Sequence, residues 1–178
     1  MTDAQNSTNH YIKFGLELNS DDSSIHKNVL SHLPRYWTNF VSDALDDLSL
    51  VTNTVFEGQV TKGIRNGQGQ MVYPNGDVYK GSYKNGERSG PGLCKFGQTG
   101  ALYKGEWRDD KPHGNGLLFT LPNEIIEARF DGFKIADGQV KILTSNNEFY
   151  EGNFKANRRH GTGIHYYANG DNYDGDWD

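Results

Sequence analysis

The sequence lacks the features of a disulfide-linked, membrane-spanning or secreted protein. It has one cysteine, Cys94, which excludes an intrachain disulfide framework and fits a reducing compartment. No apolar run is long enough for a transmembrane helix, and the polar start at Met1–Asn6 is not typical of a signal peptide. N-myristoylation is excluded because Thr2 stands where that modification needs glycine. We therefore expect a soluble, cytoplasmic protein.

Hydrophobic residues are also few, and the chain has no excess of positive charge. Hydrophobic residues make up 34% of the chain, and its net charge is −5. Residues 1–54 hold 7 acidic and 3 basic side chains (net −4), and the rest holds 16 and 15 (net −1). This near-neutral second part lacks the basic excess of nucleic-acid-binding proteins. In contrast, 22 glycines and 12% aromatic residues predict strands and tight turns rather than disorder.

From Phe56 onwards the sequence repeats itself about every 23 residues. An aromatic residue, a glycine two positions later and an apolar residue two positions after that recur, and a Gly-x-Gly pair follows at constant phase. The first glycines are Gly58, Gly81, Gly105, Gly152 and Gly175, and the pairs begin at Gly67, Gly90, Gly114 and Gly161. One copy is degenerate, with Ala128 and Val140 in place of glycines. Such self-similarity indicates stacked repeats, so we divide the chain into an N-terminal extension, 1–54, and a repeat array, 55–178, of about five and a half repeats with the fourth degenerate.

Each repeat is predicted to form a β-hairpin. In the second repeat, Tyr79 to Tyr83 and Gly90 to Phe96 are expected to be strands, and Lys84–Gly86 supplies an Asn-Gly turn. Gly81 leaves space for the aromatic rings to lie over the backbone. The sequence therefore predicts a mainly β fold, an elongated single sheet of eleven antiparallel strands.

The extension is predicted to contain a strand-like segment, Tyr11–Leu18, and an amphipathic helix over about 33–50. The helix carries one apolar stripe at steps of three and four, formed by Trp37, Phe40, Val41, Ala44, Leu45 and Leu48. We expect this stripe to cap the sheet end and cover its first strands, as terminal caps do in repeat proteins. The alternative is that the stripe docks a partner.

Two stretches of the array resemble the MORN (membrane occupation and recognition nexus) family. They are Tyr103-Lys-Gly-Glu-Trp-Arg-Asp-Asp-Lys-Pro-His-Gly-Asn-Gly, and Tyr150-Glu-Gly-Asn-Phe with Arg159-His-Gly-Thr-Gly. The resemblance covers about residues 55–178. It implies a non-catalytic scaffold whose groove holds a helix or extended segment of another protein, in a cilium or flagellum, notably a radial spoke head, or in another cytoskeletal structure. It leaves two alternatives: a peripheral adaptor that binds acidic phospholipids, and an accessory region of a larger enzyme, since similar arrays precede kinase and methyltransferase domains.

The sequence contains no pattern that predicts a catalytic, cofactor-binding or metal-binding site. The Gly-x-Gly pairs do not continue as nucleotide-binding motifs. The 6 histidines show no zinc-ligand spacing. Cys94 occupies the strand position held by Met71, Leu118 and His165 in other repeats, which favours a structural role. We therefore expect a protein that is not an enzyme.

Two groups of residues are candidates for binding. The first group is aromatic and would either pack within the ribbon or form an exposed stripe that binds a protein partner. Its members are Tyr83, Tyr103, Trp107, Tyr150, Phe154, Tyr173, Trp177, Trp37 and Phe40. The second group is the basic pair Arg158 and Arg159, which would either line a solvated turn or contact anionic lipid head groups.

Overall fold

The computed structural model describes residue 34 and residues 36–121 and 123–178, apart from the side chain at position 38. The predicted strand at 11–18 and the first residues of the predicted helix lie outside this part of the chain. The described helix, α1, spans Trp37–Ser49, and twelve strands follow it. They are β1 (Glu57–Thr61), β2 (Ile64–Val72), β3 (Val78–Lys84), β4 (Glu87–Lys95), β5 (Leu102–Arg108), β6 (Lys111–Thr120), β7 (Glu124–Asp131), β8 (Lys134–Ile135), β9 (Gly138–Leu143), β10 (Phe149–Lys155), β11 (Arg158–Tyr166) and β12 (Asn172–Trp177).

The strands form one antiparallel sheet in which neighbours along the chain are neighbours in space. The order runs from β1 to β12, with β9 next to β7 and the short β8 paired to β7 off the main path. The single-sheet hairpin array predicted from the repeats is therefore confirmed. Eleven strands lie along the ribbon as expected, and β8 is an additional strand of the degenerate fourth repeat.

The hairpin turns use backbone conformations that few residues adopt. Asn85 and Gly86 both have positive φ, 53° and 93°, as do Asp109 and Asp110 at 52° and 60°. Two successive positive φ values define the type I′ turn, whose twist matches that of the flanking strands. The turn predicted at Lys84–Gly86 is confirmed, and Asp109 and Asp110 form the equivalent turn one repeat later.

The register of the repeat hairpins is interrupted just after the first glycine, for example between Gly81 and Tyr83. The tyrosine of the repeat supports the backbone at this interruption. Tyr79 Oη donates a hydrogen bond to the carbonyl of Ser82 at 3.0 Å, and Tyr103 Oη donates to that of Glu106 at 3.0 Å. Tyr150 and Tyr173 make the same bond to the residue three positions later. A repeated tyrosine thus satisfies a backbone acceptor that an irregular ladder would otherwise leave without a partner.

The same tyrosine ring explains the glycines. A Cβ added at Gly105 would lie 2.6 Å from Tyr103 Oη and 2.7 Å from the Asn115 carbonyl oxygen, which is too close for any side chain. Gly116, on the neighbouring strand, lies beneath the ring of Tyr103. In the degenerate repeat Ile126 replaces the tyrosine, and Val140, 1% exposed, replaces the glycine. With no ring to accommodate, the valine fills that space.

Different groups of side chains pack on the two faces of the sheet, here called the helix face and the ring face. The helix face carries apolar side chains that pack against α1, and these are Leu93, Leu102, Leu117, Phe119, Ile125, Leu143 and Phe149. The ring face carries the repeat aromatics, among them Tyr79, Tyr103 and Tyr150. The indole of Trp37 sits edge-on to Phe149 with 5.9 Å between ring centroids, and its Nε1 donates to Glu127 at 3.1 Å.

The position of α1 corrects one prediction. The helix lies across the middle of the sheet, in contact with β3, β4 and β5, and β1 is exposed at every residue. The physical reason is the polarity of the first strands. Their helix-face residues include Glu57, Gln59, Gln68 and Gln70, which offer no apolar surface to the stripe, whereas Leu93 and Leu102 do.

Candidate interaction surfaces

Most of the predicted aromatic residues are buried within the sheet. Tyr83, Tyr103, Trp107, Tyr150 and Phe154 are each at most 8% exposed. Their rings meet edge-to-face along the ribbon, with centroids 5.4 Å apart for Tyr103–Trp107. Burial raises the pKa of the Tyr103 phenol, in line with its enclosed position. These rings stabilise the array by packing on glycines and on each other.

Trp37 and Phe40 are likewise inaccessible, at 1% and 5% exposed, because they anchor α1 to the helix face. Two of the nine predicted aromatic residues remain reachable from solvent. Tyr173 is 43% exposed, and Trp177 is partly buried. Both lie on β12.

The predicted basic pair does not act as a unit. Arg158 is exposed, but the guanidinium of Arg159 lies over the rings of Tyr150 and Trp177, 4.8 and 4.9 Å from their centroids. Such cation–π contacts direct the Arg159 charge into the ring face. Of the pair, Arg158 is the residue exposed to solvent.

The structure shows a feature that the sequence interpretation missed, a set of arginines stacked on the aromatic rings. Arg65, Arg88 and Arg159 occupy the same repeat position, two residues before a Gly-x-Gly pair. In the strand pairing, Pro112 and Ile135 stand at the equivalent positions of the third and fourth repeats. The recurrence of arginine at constant phase was a signal available in the sequence.

Arg88 is closely surrounded, with its side chain 11% exposed. Its guanidinium lies 4.4 Å from the Trp107 centroid, and its Nε donates to Asp110 Oδ1 at 3.1 Å. Asp77 Oδ2 lies 3.5 Å from Nη1 on the other side. The neighbouring Cys94 is fully buried, and burial raises the pKa of its thiol to about 12. Cys94 is therefore protonated at neutral pH, consistent with the structural role predicted for it.

A cavity of about 370 Å³, here called the ring-face pocket, opens beside Arg88. Charged groups line one side of it and two phenyl rings the other. Phe133 is 67% exposed, and its centroid lies 6.1 Å from that of Phe96. The lining residues are Asn75, Asp77, Arg88, Phe96, Gln98, Thr99 and Phe133. Phe133 belongs to the degenerate repeat, so the repeat pattern did not identify it.

The helix face has a different, polar groove beside α1. Two cavities of about 450 Å³ each lie along it and share Asn115 and Glu127. Side chains of both signs line them, including Lys104, Lys141 and Asp43, so the groove has no single charge preference.

Within residues 36–121 and 123–178, no group of three His, Cys, Asp or Glu side chains is placed to hold a metal ion. The helix in this part of the chain is too short and polar to cross a membrane.

The fold is therefore a ribbon of β-hairpin repeats, each built on a tyrosine packed over glycines. The MORN repeat family matches four segments, 56–78, 79–98, 103–119 and 150–172. The chain belongs to the MORN-repeat proteins. This assignment makes a role in binding proteins or membrane lipids the general expectation, and MORN repeats are as a rule not enzymes.

Two curated relatives match part of this chain and are longer than the matched part. Rat (Rattus norvegicus) Alsin is 25% identical over 134 residues, which cover 70% of this chain and 8% of Alsin. MORN repeat-containing protein 3 of Xenopus laevis is 31% identical over 80 residues, 42% of this chain and 34% of that protein. The chain thus spans under a tenth of Alsin and about a third of MORN repeat-containing protein 3.

Among solved structures, the chain is similar to the SAS-4 (dCPAP) TCP domain of Drosophila melanogaster, solved with a proline-rich motif of Ana2 (dSTIL). The TM-score is 0.40 at 18% identity, covering 60% of this chain and 58% of that domain.

Proposed function

We propose that the chain is a non-catalytic adaptor that binds a segment of another protein on its ring face. The observation that carries this proposal is the unequal cover of the two faces. α1 packs on the helix face, whereas within residues 36–121 and 123–178 no helix covers the ring face, which presents the ring-face pocket with Phe133 67% exposed. An exposed ring next to a rigidly held arginine is typical of binding hot spots.

A protein partner fits this surface better than a membrane. Anionic leaflets attract clusters of basic side chains. Here Arg88 is neutralised by Asp77 and Asp110, and Arg159 is stacked on rings, which leaves Arg158 and Lys155, opposite each other across the hairpin, as a small exposed basic pair. The peripheral membrane adaptor therefore remains a second candidate without a specific contact in its favour.

We expect capture of partners from the native cell to depend on the ring-face pocket. Phe133→Asp places a charge on the apolar side of the pocket and should remove specific proteins captured by the tagged chain. Leu50→Asp is the matched control, because Leu50 is 77% exposed at the end of α1, away from the ring face. Quantitative mass spectrometry of the captured proteins measures the difference. Equal capture by both variants would contradict the assignment of the ring face.

We also propose that the adaptor works in a cytoplasmic assembly of the ciliary or cytoskeletal kind. The support is the resemblance of its repeats to those of radial-spoke-head and other cytoskeletal MORN proteins. Proximity labelling with the full chain in ciliated cells should enrich axonemal or cytoskeletal proteins. Enrichment of membrane adaptors, or of the subunits of one enzyme, would replace this proposal with one of its alternatives.

A further inference from the structure

Arg65 and Arg88 are equivalent residues of successive repeats. Arg65 pairs across its hairpin with Val60, and Arg88 pairs across the next hairpin with Tyr83. Val60 and Tyr83 are the apolar residues two positions after the first glycine of each repeat. The two arginines also make the same backbone hydrogen bond to the turn of the next repeat. The carbonyl of Arg65 accepts from Gly86 N at 2.9 Å, and that of Arg88 accepts from Asp110 N at 3.2 Å. The surroundings of the two side chains can therefore be compared position by position.

Arg88 shows what an arginine binds at this position. Asp110, in the turn of the following repeat, accepts from both the backbone N and Nε of Arg88, at 2.8 and 3.1 Å. Asp77, directly before β3, has its Oδ2 3.5 Å from Arg88 Nη1. Aromatic rings hold its plane, and two carboxylates satisfy its charge.

Arg65 has the rings, but residues 36–121 and 123–178 place no carboxylate on it. Its guanidinium lies 5.9, 6.0 and 5.4 Å from the centroids of Phe56, Tyr73 and Tyr83. Gly86 stands at the position of Asp110, and Thr54 at that of Asp77. Among the described residues, its side chain donates one hydrogen bond, from Nη1 to Met71 Sδ at 3.1 Å. Within the part of the chain that the structure describes, this partly exposed guanidinium is thus oriented by packing, and most of its donors have no acceptor.

We propose that Arg65 is the docking point for an acidic side chain, Asp or Glu, of the protein segment that the ring face binds. The inference rests on the proposed function and specifies its partner chemistry. Arginine pairs with carboxylates through two parallel charge-assisted hydrogen bonds, and a guanidinium held on aromatic rings loses little freedom when it binds. A protein carboxylate is favoured over a lipid phosphate because carboxylates are what the array itself places at the equivalent Arg88.

The test uses the full chain and a fluorescein-labelled peptide of six glutamates, with binding followed by fluorescence anisotropy in low salt. Arg65→Gln is expected to weaken binding about ten-fold or more, as loss of a charge-assisted pair predicts. Arg108→Gln removes the same charge from an exposed arginine at the end of β5 and should have little effect.

A second pair of variants leaves Arg65 and its ring contacts intact. Gly86→Asp supplies the missing carboxylate from within the chain and should block the peptide, whereas Gly86→Asn introduces the same backbone strain without the charge. Position 86 has φ 93°, and an added Cβ would meet nothing closer than Ile64 Cγ2 at 3.6 Å. Asn and Asp tolerate left-handed backbone better than other non-glycine residues. We expect about ten-fold weaker binding for Gly86→Asp than for Gly86→Asn.

Three outcomes would overturn the inference. They are no binding of the peptide by the wild-type chain, equal binding by Gly86→Asp and Gly86→Asn, and a loss in Arg65→Gln confined to phosphatidylserine vesicles. The last result would assign Arg65 to a membrane. Leu50→Asp should leave peptide binding unchanged, because Leu50 lies at the end of α1, away from the ring face. Partner capture by Phe133→Asp tests the ring-face pocket, and peptide binding by Arg65→Gln tests the acidic docking point.

Discussion

Gly105→Val should lower the melting temperature by about 6–12 °C, from a loss of about 3 kcal/mol in the free energy of unfolding. The space above Gly105 is closed by Tyr103 Oη at 2.6 Å, the Asn115 carbonyl oxygen at 2.7 Å and Gly116 Cα at 2.7 Å. Two of these three atoms are backbone of β6, so no side-chain rotation can relieve the clash. The valine must displace the tyrosine ring and separate β5 from β6.

The matched control is Lys104→Val, which inserts the same β-branched residue at the preceding position of β5. Lys104 is exposed on the helix face, and valine is compatible with a strand, so the change should stay within about 0.5 kcal/mol. Thermal unfolding followed by circular dichroism compares the two. Equal melting temperatures would mean that the glycine is not required by the ring of Tyr103.

The repeat period was sufficient to predict the sheet because each element of the pattern has a local cause. An Asn-Gly turn, a glycine under a ring and an aromatic at constant phase act within one hairpin, and neighbouring hairpins repeat the same contacts. The fourth repeat has the same local cause, since Ile126 replaces the tyrosine and Val140 replaces the glycine that would lie under its ring. Sequence periodicity therefore predicts this kind of fold well.

The surfaces were harder to predict because they depend on contacts between distant parts of the chain. Burial of Tyr103 and Trp107 follows from cover by neighbouring repeats, and an aromatic residue at constant phase is compatible with either burial or exposure. Asp110 reaches Arg88 across 22 residues, and Phe133 reaches Phe96 across two strands of the array. The helix position was wrong for a related reason, because the apolar patch that receives α1 combines residues from β4 to β10.

Phe40→Ala should destabilise the chain by about 3–5 kcal/mol, the usual cost of truncating a buried phenylalanine. Phe40 is 5% exposed in the core between α1 and the helix face, so its truncation leaves a cavity there. Because α1 is a short helix that depends on tertiary packing, the loss should also weaken the cover over Leu93 and Leu102. We therefore expect a lower denaturant midpoint together with increased binding of a hydrophobic dye.

Asp46→Ala is the control for helix propensity, since Asp46 is exposed on the same helix and its replacement should change stability by at most about 0.5 kcal/mol. The comparison also separates the two roles considered for the apolar stripe. A stripe that packs on its own sheet makes Phe40→Ala unstable in the isolated chain. A stripe that docks a partner would leave the midpoint of Phe40→Ala equal to that of Asp46→Ala while partner capture falls. That second pattern would require α1 to leave the sheet, exposing Trp37, Phe40 and Phe149 together, and it would move the binding surface from the ring face to the helix face.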